Sequence, residues 1–219
     1  VINDGRCKSL RWAIALSFGL ALATPAQAQS AAEWEIGPII RGTNYSVGLP
    51  SHPTPQGKGW FFDFPYPSET QGHVHYVTVR RGPLAGKSKI VVRYRIDAAP
   101  EVKFIPRQFP HRTAAITLYF QRKNDSWTAK GRYDFFRWFA ATSTMQPLAP
   151  GLYELTVRLD APNWGSVMGQ QSGLHPAEFR AALSEADRVG LLFGSRGGRG
   201  HGVFATGPAR FTMLSFNVL

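Results

Sequence analysis

Between residues 89 and 96 the side chains alternate: Ile90, Val92, Tyr94 and Ile96 fall on one side, Lys89, Val91, Arg93 and Arg95 on the other. Residues 114–121 set Ala114, Ile116, Leu118 and Phe120 against Ala115, Thr117, Tyr119 and Gln121. Residues 153–160 set Tyr153, Leu155, Val157 and Leu159 against Glu154, Thr156, Arg158 and Asp160. A period of two marks a strand with one face on a core and one toward water. The same alternation over 210–219 groups Thr212, Leu214, Phe216 and Val218 against Phe211, Met213, Ser215 and Asn217. Shorter segments at 33–40, 59–64, 73–81, 101–105, 133–139, 189–193 and 202–205 bring the total to about eleven strands.

Helical spacing occurs once, over 176–188, where Pro176 pre-sets the first turn and Phe179, Ala182, Leu183 and Ala186 form an apolar stripe. The strands are punctuated by 16 prolines and 22 glycines. The fold class this predicts is all-β: a two-sheet antiparallel β-sandwich, jelly-roll-like, with one short helix. Residues 50–58 read as a surface loop. No shift of composition divides the chain, so residues 29–219 are expected to form a single sandwich domain.

The first 28 residues follow another pattern. Arg6, Lys8 and Arg11 precede the apolar run 13–23, which ends in Thr24, Pro25 and the small-residue exit Ala26-Gln27-Ala28. That is the form of a cleaved secretory signal peptide, too short in its apolar part to span a bilayer. Without a twin-arginine pair it points to general secretory export of the bacterial kind and a periplasmic or secreted location. Cleavage would remove the chain's one cysteine, Cys7. Disulfides and Cys-rich zinc modules are thereby excluded from the mature chain.

With 219 residues, 43% hydrophobic and 18% charged, the chain is neither disordered nor a long-helix protein. Its formal charge is +11, and losing Arg6, Lys8, Arg11 and Asp4 with the leader lowers it only to +9. An exported basic protein meets anionic surfaces and polymers. Basic charge and aromatic rings also suit a single-strand groove, but such ligands are incidental outside the cell, so no nucleic-acid partner is expected.

Three segments carry candidate chemistry. His73 and His75, two apart on one strand, point to the same side, an arrangement that holds metals in some β-barrel proteins such as cupins. The glutamate that the cupin pattern needs is absent, and a third ligand would have to come from His52, His111, His175 or His201. No metal site is assigned. The loop 194–202 holds five glycines with Arg196, Arg199 and His201, so converging N–H groups and guanidinium groups could grip an anion.

The segment 133–139 has five aromatic rings in seven residues. With Tyr133, Phe135 and Phe139 on the core, Asp134, Phe136 and Trp138 face outward, where an indole can stack on a sugar ring. Arg93, Arg95, Tyr119, Gln121, Glu154 and Arg158 occupy water-side registers of three strands and would supply a polar rim. For catalysis the inventory is thin. Neither G-x-S-x-G nor H-E-x-x-H occurs, and the spacing of Asp63, Asp134, Glu154 and Asp160 selects no acid pair. No catalytic residue and no cofactor is assigned.

The Asn163-Trp164-Gly165-Ser166-Val167-Met168-Gly169 loop, the helix with Phe179 and Leu183, the run 189–193 and a closing strand with Phe211, Met213 and Phe216 resemble galactose-binding-like jelly-roll domains. The Trp164 loop and helix are also similar to laminin-type and carbohydrate-binding modules. This resemblance covers residues 153–218. It implies a non-catalytic glycan-binding module, often paired with a catalytic domain, which no segment of this sequence is expected to supply. It also implies a structural calcium, for which no clustered acidic motif is present. The expectation is an exported carbohydrate-binding protein for acidic or cell-envelope polysaccharide, acting through Trp138 and its polar neighbours. The alternatives are an envelope structural domain with a protein partner, and a small polysaccharide hydrolase or lyase.

Overall fold

The computed structural model describes residue 1 and residues 30–219; the expected export leader falls, residue 1 apart, outside the described residues. The strands, in chain order, are β1 (Trp34–Gly37), β2 (Ile39–Ile40), β3 (Thr43–Asn44), β4 (Thr54–Gln56), β5 (Gly59–Asp63), β6 (Tyr76–Arg80), β7 (Lys89–Ala98) and β8 (Phe104–Pro106). There follow β9 (Ala114–Arg122), β10 (Arg137–Phe139), β11 (Gln146–Pro147), β12 (Gly151–Arg158), β13 (Gly165–Ser166), helix α1 (Pro176–Ser184), β14 (Ala186–Ser195), β15 (Val203–Ala205) and β16 (Ala209–Val218). One sheet runs β1-β6-β14-β9-β10-β13, with β11 also on β9; the other runs β12-β7-β16-β5-β4. Two short two-stranded sheets, the β2-β3 hairpin and the long-range pair β8-β15, complete among the described residues an all-β sandwich with one short helix.

The sheets meet through the apolar faces their alternation sets up. Trp34, Ile36, Val77, Val79, Leu118, Leu191 and Phe193 from the first pack with Trp60, Phe62, Val92, Tyr94, Phe211 and Phe216 from the second. Rings close the seam: Trp34 lies 4.8 Å from Trp60, and Phe193 stands edge-on to Phe211 at 5.8 Å. Among the described residues no helix is long and apolar enough to cross a membrane.

Four local expectations change. Residues 133–139 do not form a strand: Gly131–Phe136 is a 3-10 turn, and only Arg137–Phe139 joins the sheet. The last strand does not alternate strictly. Its pairing with β7 slips between Met213 and Ser215, so Phe211 and Met213 point inward before the bulge, and Phe216 and Val218 after it. The helix ends at Ser184 and the chain enters β14 directly at Ala186. Residues 54–56 of the expected loop form a hairpin with β5.

Strand β9 departs from the half-buried pattern altogether, since Ala114 to Gln121 are all buried. Tyr76, Tyr119, Phe139 and Leu192 make a second small cluster on the outer face of the first sheet, covered by Trp127 and Val167. A strand roofed on both faces loses the alternation of exposure but keeps the alternation of direction.

Candidate functional site

Register maps the outer face of the seven-stranded sheet. Gln121 lies opposite both Arg188 and Arg137, while Tyr119 lies opposite both Gly190 and Phe139. On the next strand Thr78 pairs with Gly190 and Tyr76 with Leu192. Residues 123–130 strap this face. Asp125 accepts hydrogen bonds from Gln121 Nε2 at 3.0 Å and Trp127 N–H at 3.1 Å, and its carboxylate meets the buried Arg137 guanidinium at 2.8 Å. Arg137 in turn lies over the Trp127 ring. Burial pushes the Tyr76 hydroxyl up and the Tyr119 hydroxyl well up, so both remain neutral.

Where this face meets the loop between β14 and β15, a polar cleft of about 820 Å³ opens. Arg112, Arg196 and Arg199 line it with His111, Thr113 and Thr142. The antiparallel pairing explains the convergence: Ala114 opens β9 opposite Ser195, which closes β14, so the residues just before one and just after the other are neighbours. Arg112 Nη1 donates to the Arg196 carbonyl at 2.5 Å, and Arg199 Nη1 donates to the Ala140 carbonyl at 3.0 Å while lying over the Phe139 ring. The glycines make the loop tight enough. At Gly200, φ is +75° and a Cβ would stand 2.7 Å from the Tyr76 ring, a place no larger residue occupies without displacement.

The cleft is cationic without compensation. Among the described residues, none of the eleven ion pairs includes Arg112, Arg196 or Arg199. Burial draws the Arg199 guanidinium below its usual value, a partial desolvation that an arriving anion would relieve. Guanidinium forks beside threonine hydroxyls form the donor set that carboxylate, sulfate or phosphate groups accept from.

His75 holds this loop from behind. Its Nδ1–H donates to the Gly200 carbonyl at 2.8 Å, and its ring centre lies 4.7 Å from that of His73. Burial, and secondarily His73, pulls the His75 imidazole down to about 4. His73 and His201 are also lowered, chiefly by burial. These rings are therefore neutral at pH 7. Among the described residues no group of three His, Cys, Asp or Glu side chains converges to hold a metal.

Of the residues chosen from sequence, Arg196 and Arg199 come together in the cleft. The others scatter. Trp138 is 0% exposed: β10 sends Arg137 and Phe139 outward and Trp138 into the core, edge-on to Phe179, with Nε1–H donating to the Phe135 carbonyl at 2.8 Å. It offers no platform to a sugar. Asp134 is buried too, accepting from Ser166 Oγ at 2.6 Å and Met168 N–H at 2.7 Å, so it ties a turn to a loop. Tyr119 is 1% exposed and donates to Gln121 at 3.2 Å beneath the strap.

Arg93, Arg95, Glu154 and Arg158 are exposed, but on the outer face of the five-stranded sheet. Tyr119 and Gln121 are on the far side of the sandwich, so the expected rim never assembles. Arg93 faces Glu154 at 3.7 Å, Arg95 faces Asp97 at 2.8 Å and Arg158 grips Asp160. Self-paired surface charges of this kind are ordinary solvated decoration. Arg112, Thr113 and Thr142 went unnoticed in the sequence, where His111 figures only as a distant metal ligand. The available signal was the pairing itself: two basic segments, 111–112 and 196–199, flank the near ends of two adjacent strands. No protein-family model matches the chain, and neither does any curated protein.

Proposed function

We propose that this protein is an exported, non-catalytic binder of acidic polysaccharide, and that the ligand enters the Arg112–Arg196–Arg199 cleft rather than stacking on Trp138. One observation carries the reading: three guanidinium groups converge on one open cleft with no carboxylate partner among the described residues. The charge of +9 outside the leader draws a polyanion toward the protein, and the arginine forks then fix its acidic groups. Thr113 and Thr142 supply hydroxyl contacts of the kind sugars use. The likeness of residues 153–218 to galactose-binding-like modules supports the same reading, because it implies a non-catalytic glycan-binding module. The leader at residues 1–28 supports a periplasmic or secreted setting, where envelope polysaccharide is at hand.

Binding is favoured over eliminative cleavage by the state of the tyrosines. A tyrosine acting as base needs a lowered pKa and contact with substrate. Tyr76 and Tyr119 have raised values and lie under the strap.

Retention on immobilised polyuronate, sulfated glycan and neutral glucan tests the reading. The wild type is retarded by the acidic polymers and released by salt, since exposed charges are screened within about 10 Å at 0.1 M. The double variant Arg112→Ala/Arg196→Ala runs through, with a melting temperature lowered by no more than a few degrees through loss of the Arg112 bond to the Arg196 carbonyl. Equal retention of wild type and variant, or none by any acidic glycan, overturns the assignment.

A further inference from the structure

A second cavity lies away from the cationic cleft, between α1, the turn after β6 and the chain leaving β12. It encloses about 320 Å³. Leu84, Leu159 and Phe179, all buried, form its floor, and Pro162, Pro176 and Leu183 its walls. Main-chain hydrogen bonds lock these segments together. Leu84 N–H donates to the Leu183 carbonyl, Leu159 N–H to the Ser88 carbonyl and Gly173 N–H to the Pro162 carbonyl, each at 2.8 Å. The cavity is therefore preformed, and a ligand need not spend binding energy on ordering it.

Cations outnumber carboxylates at its mouth: Lys87 and Arg180 stand against Asp160. Lys87 and Arg180 are exposed there, and among the described residues neither forms an ion pair. The carboxylate on the lining, Asp160, is paired with Arg158 at 2.5 Å, which holds its pKa down and keeps it ionised, its charge directed to that guanidinium. Ser172 Oγ is likewise engaged, donating to the Ala161 carbonyl at 3.0 Å. What remains available to a ligand is an apolar floor with two free cations at the rim. Acidic sugars do not suit such a floor, and the arginine cleft has no comparable apolar base.

We infer that this pocket binds a small molecule with an apolar body and a single carboxylate head, of the size of a medium-chain fatty acid. The alkyl body covers Leu84, Leu159 and Phe179, and the head reaches Lys87 and Arg180. Pockets of a few hundred Å³ with an apolar lining and a few convergent polar groups are where small ligands bind.

Calorimetric titration with hexanoate, octanoate and decanoate, each below its micellar concentration, tests this directly. Affinity should rise by about fourfold per methylene until the cavity is full, and then level off. Octanol should bind about three- to tenfold more weakly than octanoate. Lys87→Glu/Arg180→Glu should remove that preference while leaving octanol binding unchanged, because both side chains are at the surface. Leu183→Trp, which fills the cavity, should abolish both. Absence of saturable octanoate binding, equal affinity for the alcohol, or an unaltered acid preference in the double glutamate variant overturns the inference. So does self-association through this face that octanoate fails to displace, since the occupant would then be a second copy of the chain.

Discussion

His75 Nδ1–H donates to the carbonyl of Gly200 at 2.8 Å, joining groups 125 residues apart in the chain. Through this bond the segment leading into β6 holds the glycine-rich loop against the sheet. Arg199 on one side of Gly200 and His201 on the other are placed by it.

The bond lies in a neutral, buried setting, which fixes the sign of an acid response. The folded His75 value of about 4 is below the ordinary 6.5, so the unfolded chain takes up its proton first as pH falls. Stability from neutral His75 is complete above about 6.5 and drains away between there and about 4. The shift corresponds to roughly 3 kcal/mol. His73 and His201, also lowered, add loss of the same sign. Denaturant midpoints measured from pH 7.5 down to 4 should show the decline, and His75→Gln should flatten it. An identical slope in the variant would assign the acid sensitivity elsewhere.

Gly200→Ala meets two obstacles together, a φ of +75° and the Tyr76 ring 2.7 Å from the new Cβ. The expected cost is on the order of 1–3 kcal/mol, with weakened retention on acidic glycan because Arg196 and Arg199 share that loop. Gly86→Ala is the control: φ is +80° there but nothing lies within 4 Å. It should cost only about 1 kcal/mol and leave retention alone. Equal effects of the two substitutions would show that contact with Tyr76 does not matter.

Trp138→Ala removes a fully buried indole from between Phe179 and Phe135. Large aromatic deletions of this kind destabilise by about 3–5 kcal/mol. The protein that remains folded should still bind acidic glycan with the wild-type salt dependence. Selective loss of glycan binding at unchanged stability would restore Trp138 to the site.

Charge reversal on the opposite sheet separates local recognition from bulk charge. Arg93→Glu/Arg95→Glu alters the net charge by four, on the face remote from the cleft. Retention by polyuronate should shift far less than with Arg112→Glu/Arg196→Glu, which changes the charge equally. Matched losses in the two double variants would mean that the basic balance alone, with no defined cleft, holds the polymer.

The sheet faces were readable where one side meets water. Residues 89–96 and 153–160 alternate as the structure has them, because Arg93, Glu154 and Arg158 are solvated and Val92, Tyr94 and Leu155 are not. Strand β9 misled by the same logic. Tyr119 and Gln121 point away from the core, yet a strap anchored by Asp125 and Trp127 covers them. Nothing in the period of a strand tells whether a remote loop folds over it. The aromatic run 133–139 failed for another reason. Hydrophobic density looks alike in a strand and in a 3-10 turn, and it is the Asp134 bonds to Ser166 and Met168 that hold the turn.

Local chemistry along the chain therefore settles the class: period-two alternation with glycine and proline breaks yields stacked antiparallel sheets, and the basic excess yields a formal charge of +11. Both follow from each residue and its near neighbours. Which charges act together does not, because Arg112 and Arg196 meet only when β9 and β14 pair, whereas Arg93 and Tyr119 are parted by the thickness of the core. Side-chain direction is a short-range property of the strand; the company a side chain keeps is set by long-range pairing and by the loops that close over it.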